Sequence, residues 1–315
     1  MSIEPNTVPV LSVGRLYCDL IFTGVPRMPT LGTEIFTEGF GAHAGGGAFI
    51  TAAHLAQLGH RSSLAAMLQA SPFGDLMRPD LEASDVDLSL CSPMAASEGP
   101  QITVAMVEDV DRAFLTRRAG DAFPKVNAQD VAARGFRHIH IGEITSLIAD
   151  PGILQIARSV KATVSADCGW DDDFDPDTLH PFVGMLDVFL PNETEMELLQ
   201  RSGLGDRMAA VTVVKRGSRG ATLHSSEGSL TAPALATEVI DTTGAGDAFN
   251  AGFLSQWLAG APLQTCLEAG NRRGALAVAT RGGFSPQRLQ SAGTLSSEND
   301  PDLLIQEVSG NRFRP

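Results

Sequence analysis

"DTTGAGDAFNAGFL", residues 241–254, places a bare carboxylate, Asp247, directly behind a glycine turn at the mouth of an apolar helical stretch. A helix start already attracts anions through its free amides and its dipole. A carboxylate of its own makes it a poor passive holder of phosphate. The arrangement makes sense if negative charge develops there only during a reaction. The amides of Gly244, Ala245 and Gly246 would then stabilise a transferring phosphoryl group. Asp247, one step into the helix, would take the proton from an attacking hydroxyl. Taken alone, the string has a second reading, in which Thr242 or Thr243 caps the helix and Asp247 complements its dipole.

Other phosphate-binding signatures fail. The only lysines are Lys125, Lys161 and Lys215, and none follows a glycine, so there is no GxxxxGK[ST] loop. Phe249 stands where a dinucleotide fingerprint needs its third glycine. Outward from the turn, short β-rich runs alternate with helical patterns, which predicts a mostly parallel sheet covered on both faces. The strand candidates are residues 8–14, 61–68, 136–142, 161–167, 186–191 and 209–217. Helical patterns fall at 47–59, ended by Gly59, and around 150–160, 192–201, 245–260 and 262–279. Two segments, 19–40 and 100–118, show local alternation instead and read as antiparallel ribbons. Paired, they would make a small discontinuous β-sheet flap over a cleft; as separate peripheral hairpins they would have no role in binding.

The 315 residues fit one large α/β domain. With 23 basic and 37 acidic residues the net charge is −14, and no dense basic run offsets it, which argues against nucleic-acid or acidic-membrane partners. Cys18, Cys91, Cys168 and Cys266 lie far apart, without metal-site spacing, and read as reduced thiols of a cytoplasmic protein. No stretch approaches 18 uninterrupted apolar residues, and the first 15 residues lack a signal pattern. Residues 291–315 form a tail, polar at first, with one apolar patch at 303–308.

The opening string closely resembles the C-terminal signature of the ribokinase-like, or PfkB-type, carbohydrate kinases, and further matches follow in the family's order. "VGRLYCDL" (13–20) resembles its first strand and substrate-binding aspartate, here Asp19; "AGGGAFITAAHLAQLG" (44–59) resembles its di-glycine signature. "PNETEMELL" (191–199) resembles the Asn-x-x-Glu segment, and "VVKRGSRGATL" (213–223) the nucleotide-side strand and turn. The resemblance implies a three-layer α/β/α domain spanning 1–315, with a mostly parallel central sheet and a small lid from about 17–40 and 100–118. It implies an enzyme that transfers the γ-phosphoryl of ATP to a hydroxymethyl group of a sugar. Asp19, Gly45, Gly46 and Glu143 would bind substrate. Asn192, Lys215, Gly217, Gly220 and Asn271 would serve the nucleotide, and Glu195 would orient waters around Mg²⁺. Without the family match, Asn192 with Glu195 is an ordinary helix start, and Gly217 with Gly220 a plain β-turn.

The departures bear on substrate. Ile50 replaces the family's substrate-contacting asparagine. "SADCGWDDDFD" (165–175) keeps Asp167 but has Gly169 and Asp171 where relatives of the fructokinase and ketodeoxygluconate kinase type carry Asn and Arg. A carboxylate-bearing sugar is less well served without that arginine. Ile50, Phe40 and His43 leave a nucleoside kinase open, with these residues as the wall for a base. A non-catalytic sugar or nucleotide sensor is the alternative of another class. The short "TRGGFS" (280–285) leaves K⁺ activation open, and an exposed lid edge suggests a homodimer.

Overall fold

The fold is described from a computed structural model covering residues 7–95, 97–108, 112–169, 175–280 and 282–285. The tail at 291–315 and Asp171 lie outside the described residues. In chain order the strands are β1 (Pro9–Val13), β2 (Tyr17–Thr23), β3 (Gly39–Gly45), β4 (Arg61–Ala65), β5 (Met67–Leu68), β6 (Ser92–Pro93) and β7 (Ile102–Val107). They continue as β8 (Arg112–Arg117), β9 (His138–Ile141), β10 (Thr163–Asp167), β11 (Val188–Leu190), β12 (Val211–Lys215), β13 (Ala221–Ser225) and β14 (Gly228–Ala232). The helices are α1 (Gly47–Gln57), α2 (Phe73–Ala83), α3 (Ala128–Arg134), α4 (Ile144–Ala149), α5 (Gly152–Ser159), α6 (Pro176–Val183), α7 (Glu193–Arg201), α8 (Ala245–Leu258) and α9 (Leu263–Val278).

The main sheet has the order β14-β13-β12-β11-β10-β9-β1-β4. From β4 to β12 neighbouring strands are parallel, and β13 and β14 add an antiparallel edge. Strand alternation sends each residue set to a different helical layer. Leu11, Ile139, Ile141, Val164 and Phe189 pack with α3 to α7, whereas Val10, Val188, Val213 and Leu223 pack with α8 and α9. That is the three-layer architecture expected of hydrophobic strand runs separated by helices. Phe49, Phe189 and Phe253 are among the largest fully buried side chains; truncating one to alanine costs about 3–5 kcal/mol.

The face toward α8 is not uniformly apolar. His138 and His140 both reach Ser165 Oγ, at 2.8 Å each, and His138 Nδ1 meets Thr163 Oγ1 at 2.8 Å. Burial pushes both imidazoles down to about 3, so they are neutral, and Ser165 can donate to one while accepting from the other. This polar seam leads along the sheet to Asp167.

A second sheet, β3-β2-β7-β8, joins the two alternating segments as one lid. One expected boundary shifts. The first ribbon does not end at 40: its second strand is Gly39–Gly45, which runs directly into the glycine signature, where Tyr17 pairs with Gly45. Residues 24–38, which include Pro26 and Pro29, form no strand. The expected strand over 61–68 divides into β4 and β5, and β5 leaves the main sheet to pair with β6.

Candidate active site

Helix α8 starts at Gly244, whose φ of 69° is left-handed and whose added Cβ would strike Gly283 Cα at 2.5 Å. Both conditions require glycine there. No side chain caps this helix. Asp241 instead spends both carboxylate oxygens on backbone amides, accepting from Thr243 N at 2.8 Å and Gly282 N at 2.9 Å. It thereby fixes the loop that crowds Gly244. Of the expected anion-binding amides, Ala245 N turns back to Thr242 O at 3.3 Å. The amides of Gly244, Gly246 and Asp247 make no hydrogen bond among the described residues. They are the free donors at the helix start.

Asp247 projects toward α1. A Cβ on Gly47 would lie 2.9 Å from Asp247 Oδ1 and 2.5 Å from Gly142 O, so this glycine keeps open the space in front of the carboxylate. Thr51 Oγ1 donates to Asp247 O at 3.3 Å and ties the two helices together. The Asp247 pKa is raised, first by burial, then by Asp167, with Lys215 opposing.

The lid supplies Asp19. Its cleft face carries a polar row, His43 opposite Asp19 and Asp19 opposite Thr103, with Thr103 Oγ1 3.2 Å from Thr116 Oγ1. The Asp19 carboxylate lies directly over Gly45, where any Cβ would collide with it, and Gly46, with φ 99°, packs on Arg15 O. Burial pushes Asp19 up to about 7, against a hydrogen bond from Thr103 and the charge of His43. His43 Nδ1 donates to Asp80 Oδ2 at 3.2 Å, which raises the imidazole's pKa, and the ring rests against Gly282.

Glu143, after β9, closes another side. It accepts from Ser146 Oγ at 2.9 Å and lies 3.5 Å from Arg15 Nε; its pKa is raised by burial, with Arg15 and Arg118 opposing. Arg15 Nη1 also donates to Gln101 Oε1 at 2.7 Å and to the carbonyls of Ala119 and Gly120 at 3.0 Å, clamping the base of the lid. Tyr17, which hydrogen-bonds Arg118, completes this corner.

Of the residues expected to serve the nucleotide, Asn192 and Glu195 form a reciprocal capping box. Asn192 Oδ1 accepts from Glu195 N at 2.9 Å, and Glu195 Oε2 accepts from Asn192 N at 2.7 Å. The box leaves the Asn192 amide nitrogen and the second Glu195 oxygen outside it. Burial, then Asp167, raises the Glu195 pKa, so a cation nearby would relieve it. Gly220, at φ 84°, lets β14 approach its backbone, and Asn271 Nδ2 donates to Ala232 O and Pro233 O at 3.0 Å. These two meet at one loop, away from Asp247. Gly217, at φ 55°, faces open space.

Two of the three residues considered as a wall for a base do not face the cleft. Ile50 is buried against Gly283, and Phe40 packs at a tilt against Phe22 on the lid face opposite Asp19. Ile50 therefore fills the space beside the short 282–285 loop. Sequence reasoning missed Gly47, the Arg15–Arg118 corner and Asn250. The first and last were in view, as the third glycine of "AGGG" and as the residue three after Asp247 on the same helix face.

A mostly parallel α/β/α sandwich with a discontinuous β-lid and a glycine-started helix behind its cleft defines the ribokinase-like fold class. The family model for pfkB family carbohydrate kinases matches residues 11–288, and the chain belongs to that family. It is 29% identical over 303 residues to an ATP-dependent ribose-1-phosphate kinase of Halopiger xanaduensis, covering 92% of this chain and 99% of the relative. It is 27% identical to a nucleoside kinase of Methanothermobacter thermautotrophicus over 82% of this chain and 85% of that one. Arabidopsis thaliana ribokinase, solved with ribose and ATP, superimposes with a TM-score of 0.71 at 22% identity, over 88% of this chain and 94% of that one. No helix among the described residues is long and apolar enough to cross a membrane.

Proposed function

We propose that this chain transfers the γ-phosphoryl group of ATP to a hydroxymethyl group of a small sugar. One observation carries the reading. The Asp247 carboxylate is the third residue of a helix whose start has free amides, and a glycine keeps the space before it clear. The sugar oxygen attacks the γ-phosphorus while the bond to the ADP oxygen breaks, and the hydroxyl proton passes to Asp247. The free amides of Gly244, Gly246 and Asp247 and the dipole of the 14-residue α8 face the charge that spreads over the phosphoryl oxygens. Asp19, Gly45, Gly46 and Glu143 orient the sugar hydroxyls. Asn192 and Glu195 would hold Mg²⁺ through water; when bound, that ion neutralises charge on the phosphates. The Glu195 oxygen left outside the capping box is the group that would meet the ion's water shell. The lid excludes water from the reaction.

A second reading, nucleoside phosphorylation, is favoured by one feature. Phe114, half exposed, shares the lid's cleft face with Asp19 and offers a base an apolar surface. ADP release with Mg·ATP against sugars, ribose 1-phosphate and nucleosides decides between these, with Asp247→Asn in parallel. Turnover on one class that falls at least 10²-fold in the variant supports phosphotransfer by Asp247. ATP binding without turnover on any compound, or an Asp247→Asn variant that keeps full function in cells, would favour a non-catalytic sensor.

A further inference from the structure

Lys215 closes β12, and its backbone N–H donates to Pro191 O at 2.9 Å, beside Asn192. Its side chain does not extend into the open cleft. Nζ donates to Asp167 Oδ2 at 2.6 Å and to Asn250 Oδ1 at 3.2 Å, and Asn250 Nδ2 donates to the same Asp167 oxygen at 2.5 Å. Cys168 N holds the other Asp167 oxygen at 2.7 Å. Three elements, β12, β10 and α8, thus lock one ammonium in place, with 12% of the side chain exposed. It sits beneath the glycine turn, since a Cβ added to Gly246 would lie 3.4 Å from Nζ.

The charges around this point are unequal. Asp247 is faced by Asp167 from β10, Glu195 from α7 and Asp19 from the lid, and Lys215 is the cation that acts against them. Burial disfavours the ammonium, but Asp167 and Glu195 outweigh it and keep the lysine protonated.

We propose that Lys215 is a positioning residue for phosphoryl transfer: pinned by Asp167 and Asn250, it places a fixed positive charge between the base and the anion-binding turn, and is not a ligand of ATP. The inference rests on the reading of Asp247 as the base. An ammonium that spends two of its three donors on buried partners is already oriented, so it acts on developing charge without reorganising. It also works against the three carboxylates that would otherwise keep Asp247 protonated.

The test compares Lys215→Met, Lys215→Arg and the pair Lys215→Met with Asp167→Asn, each checked by far-UV circular dichroism and thermal melting. The pair is decisive because it removes the ammonium together with its direct carboxylate partner, so loss of activity in it is not the cost of an orphaned Asp167. Expected is a fall in kcat of about 10²-fold or more in the pair, with the KM for ATP changed less than threefold. The acid limb of log kcat against pH moves upward by about one unit in Lys215→Met. Lys215→Arg, which retains the charge, recovers part of kcat.

Two results overturn the proposal. A KM for ATP raised more than tenfold with kcat nearly unchanged would make Lys215 a nucleotide ligand. Wild-type kcat in the pair would make the ion pair structural only. Asp247→Asn separates the two levels of inference. If it retains activity, the base assignment fails and takes this proposal with it; if it is inactive while the pair is not, only the role of Lys215 is lost.

Discussion

The sharpest geometric test is Gly47→Ala. The residue opens α1 and has no left-handed φ, so alanine brings no backbone strain and gains a fraction of the roughly 0.8–1 kcal/mol by which it exceeds glycine in a helix interior. Its Cβ, however, would meet Gly142 O at 2.5 Å and Asp247 Oδ1 at 2.9 Å, whereas ordinary contact begins near 3.4 Å. The carbonyl belongs to the loop after β9 and cannot swing away as a side chain can. Relief therefore requires α1 to shift by nearly 1 Å and the carboxylate to move by about half an ångström. Overpacking of this kind costs about 1–3 kcal/mol, partly offset by the propensity gain, so Tm should fall by only a few degrees. Activity should suffer more, because a 1 Å misplacement of a reacting group costs about 10²-fold. The expected result is a 10- to 100-fold loss of kcat in a coupled ADP-release assay, with near-native stability and unchanged ATP binding. A variant with kcat within twofold of wild type would show that the space before Asp247 is not where the acceptor hydroxyl stands.

Other outcomes follow from the same structure. The raised Asp19 pKa means that the folded protein holds a proton the unfolded chain has lost between about pH 4 and pH 7, so stability falls as pH rises through that window. Asp19→Asn should flatten this slope in pH-dependent melting and raise stability at pH 8 by up to about 2 kcal/mol, allowing for its partial exposure, while abolishing turnover. Arg273 Nε donates to His54 Nδ1 at 2.9 Å, and His54 Nε2 donates to Gly283 O at 3.1 Å. Arg273→Ala should therefore destabilise by about 2–4 kcal/mol in denaturant titration, by leaving the buried imidazole short of a partner. Glu195→Gln should raise the Mg²⁺ concentration needed for half-maximal rate by at least threefold, with little effect on the KM for sugar. The outer lid face exposes Phe40 and Leu115 at 61% and 70%; if a second copy covers it, Leu115→Glu should convert a dimer to monomer in light scattering.

Legibility in the sequence varied with the kind of signal. The parallel strands were readable because each is a short apolar run between helices, and α1 because Gly59, at φ 92°, ends it where the periodicity stops. Helices α2 and α6 were not readable: Pro79 and Pro181 lie inside them, and prolines normally mark a helix's end. The β13–β14 hairpin was hidden because "HSSEGSLTA" is polar on an exposed edge and lacks the expected alternation. In the site, Asp247 and the glycines were visible because their chemistry depends on local sequence. The partners of Lys215 were not, since Asp167 and Asn250 lie 48 and 35 residues away and meet it only when β10, β12 and α8 are assembled.

That division has a physical cause. A helix start gathers its donors from consecutive residues, so its function can be written in a dozen letters. The field that acts on Asp247 has to come from elsewhere in the fold, because adjacent residues cannot pack an ammonium against the underside of their own turn. Here the parallel sheet performs that step. β10 and β12 end at the same edge, each delivering its last residue, Asp167 and Lys215, beneath α8. The acid and the cation are of little use alone: Lys215 without Asp167 would be a buried charge, and Asp167 without Lys215 would add to the repulsion on Asp247. Together they form an oriented dipole with its positive end toward the turn. A relative that replaces Lys215 with a neutral residue must therefore also change Asp167, or supply a cation near Asp247 from another strand end.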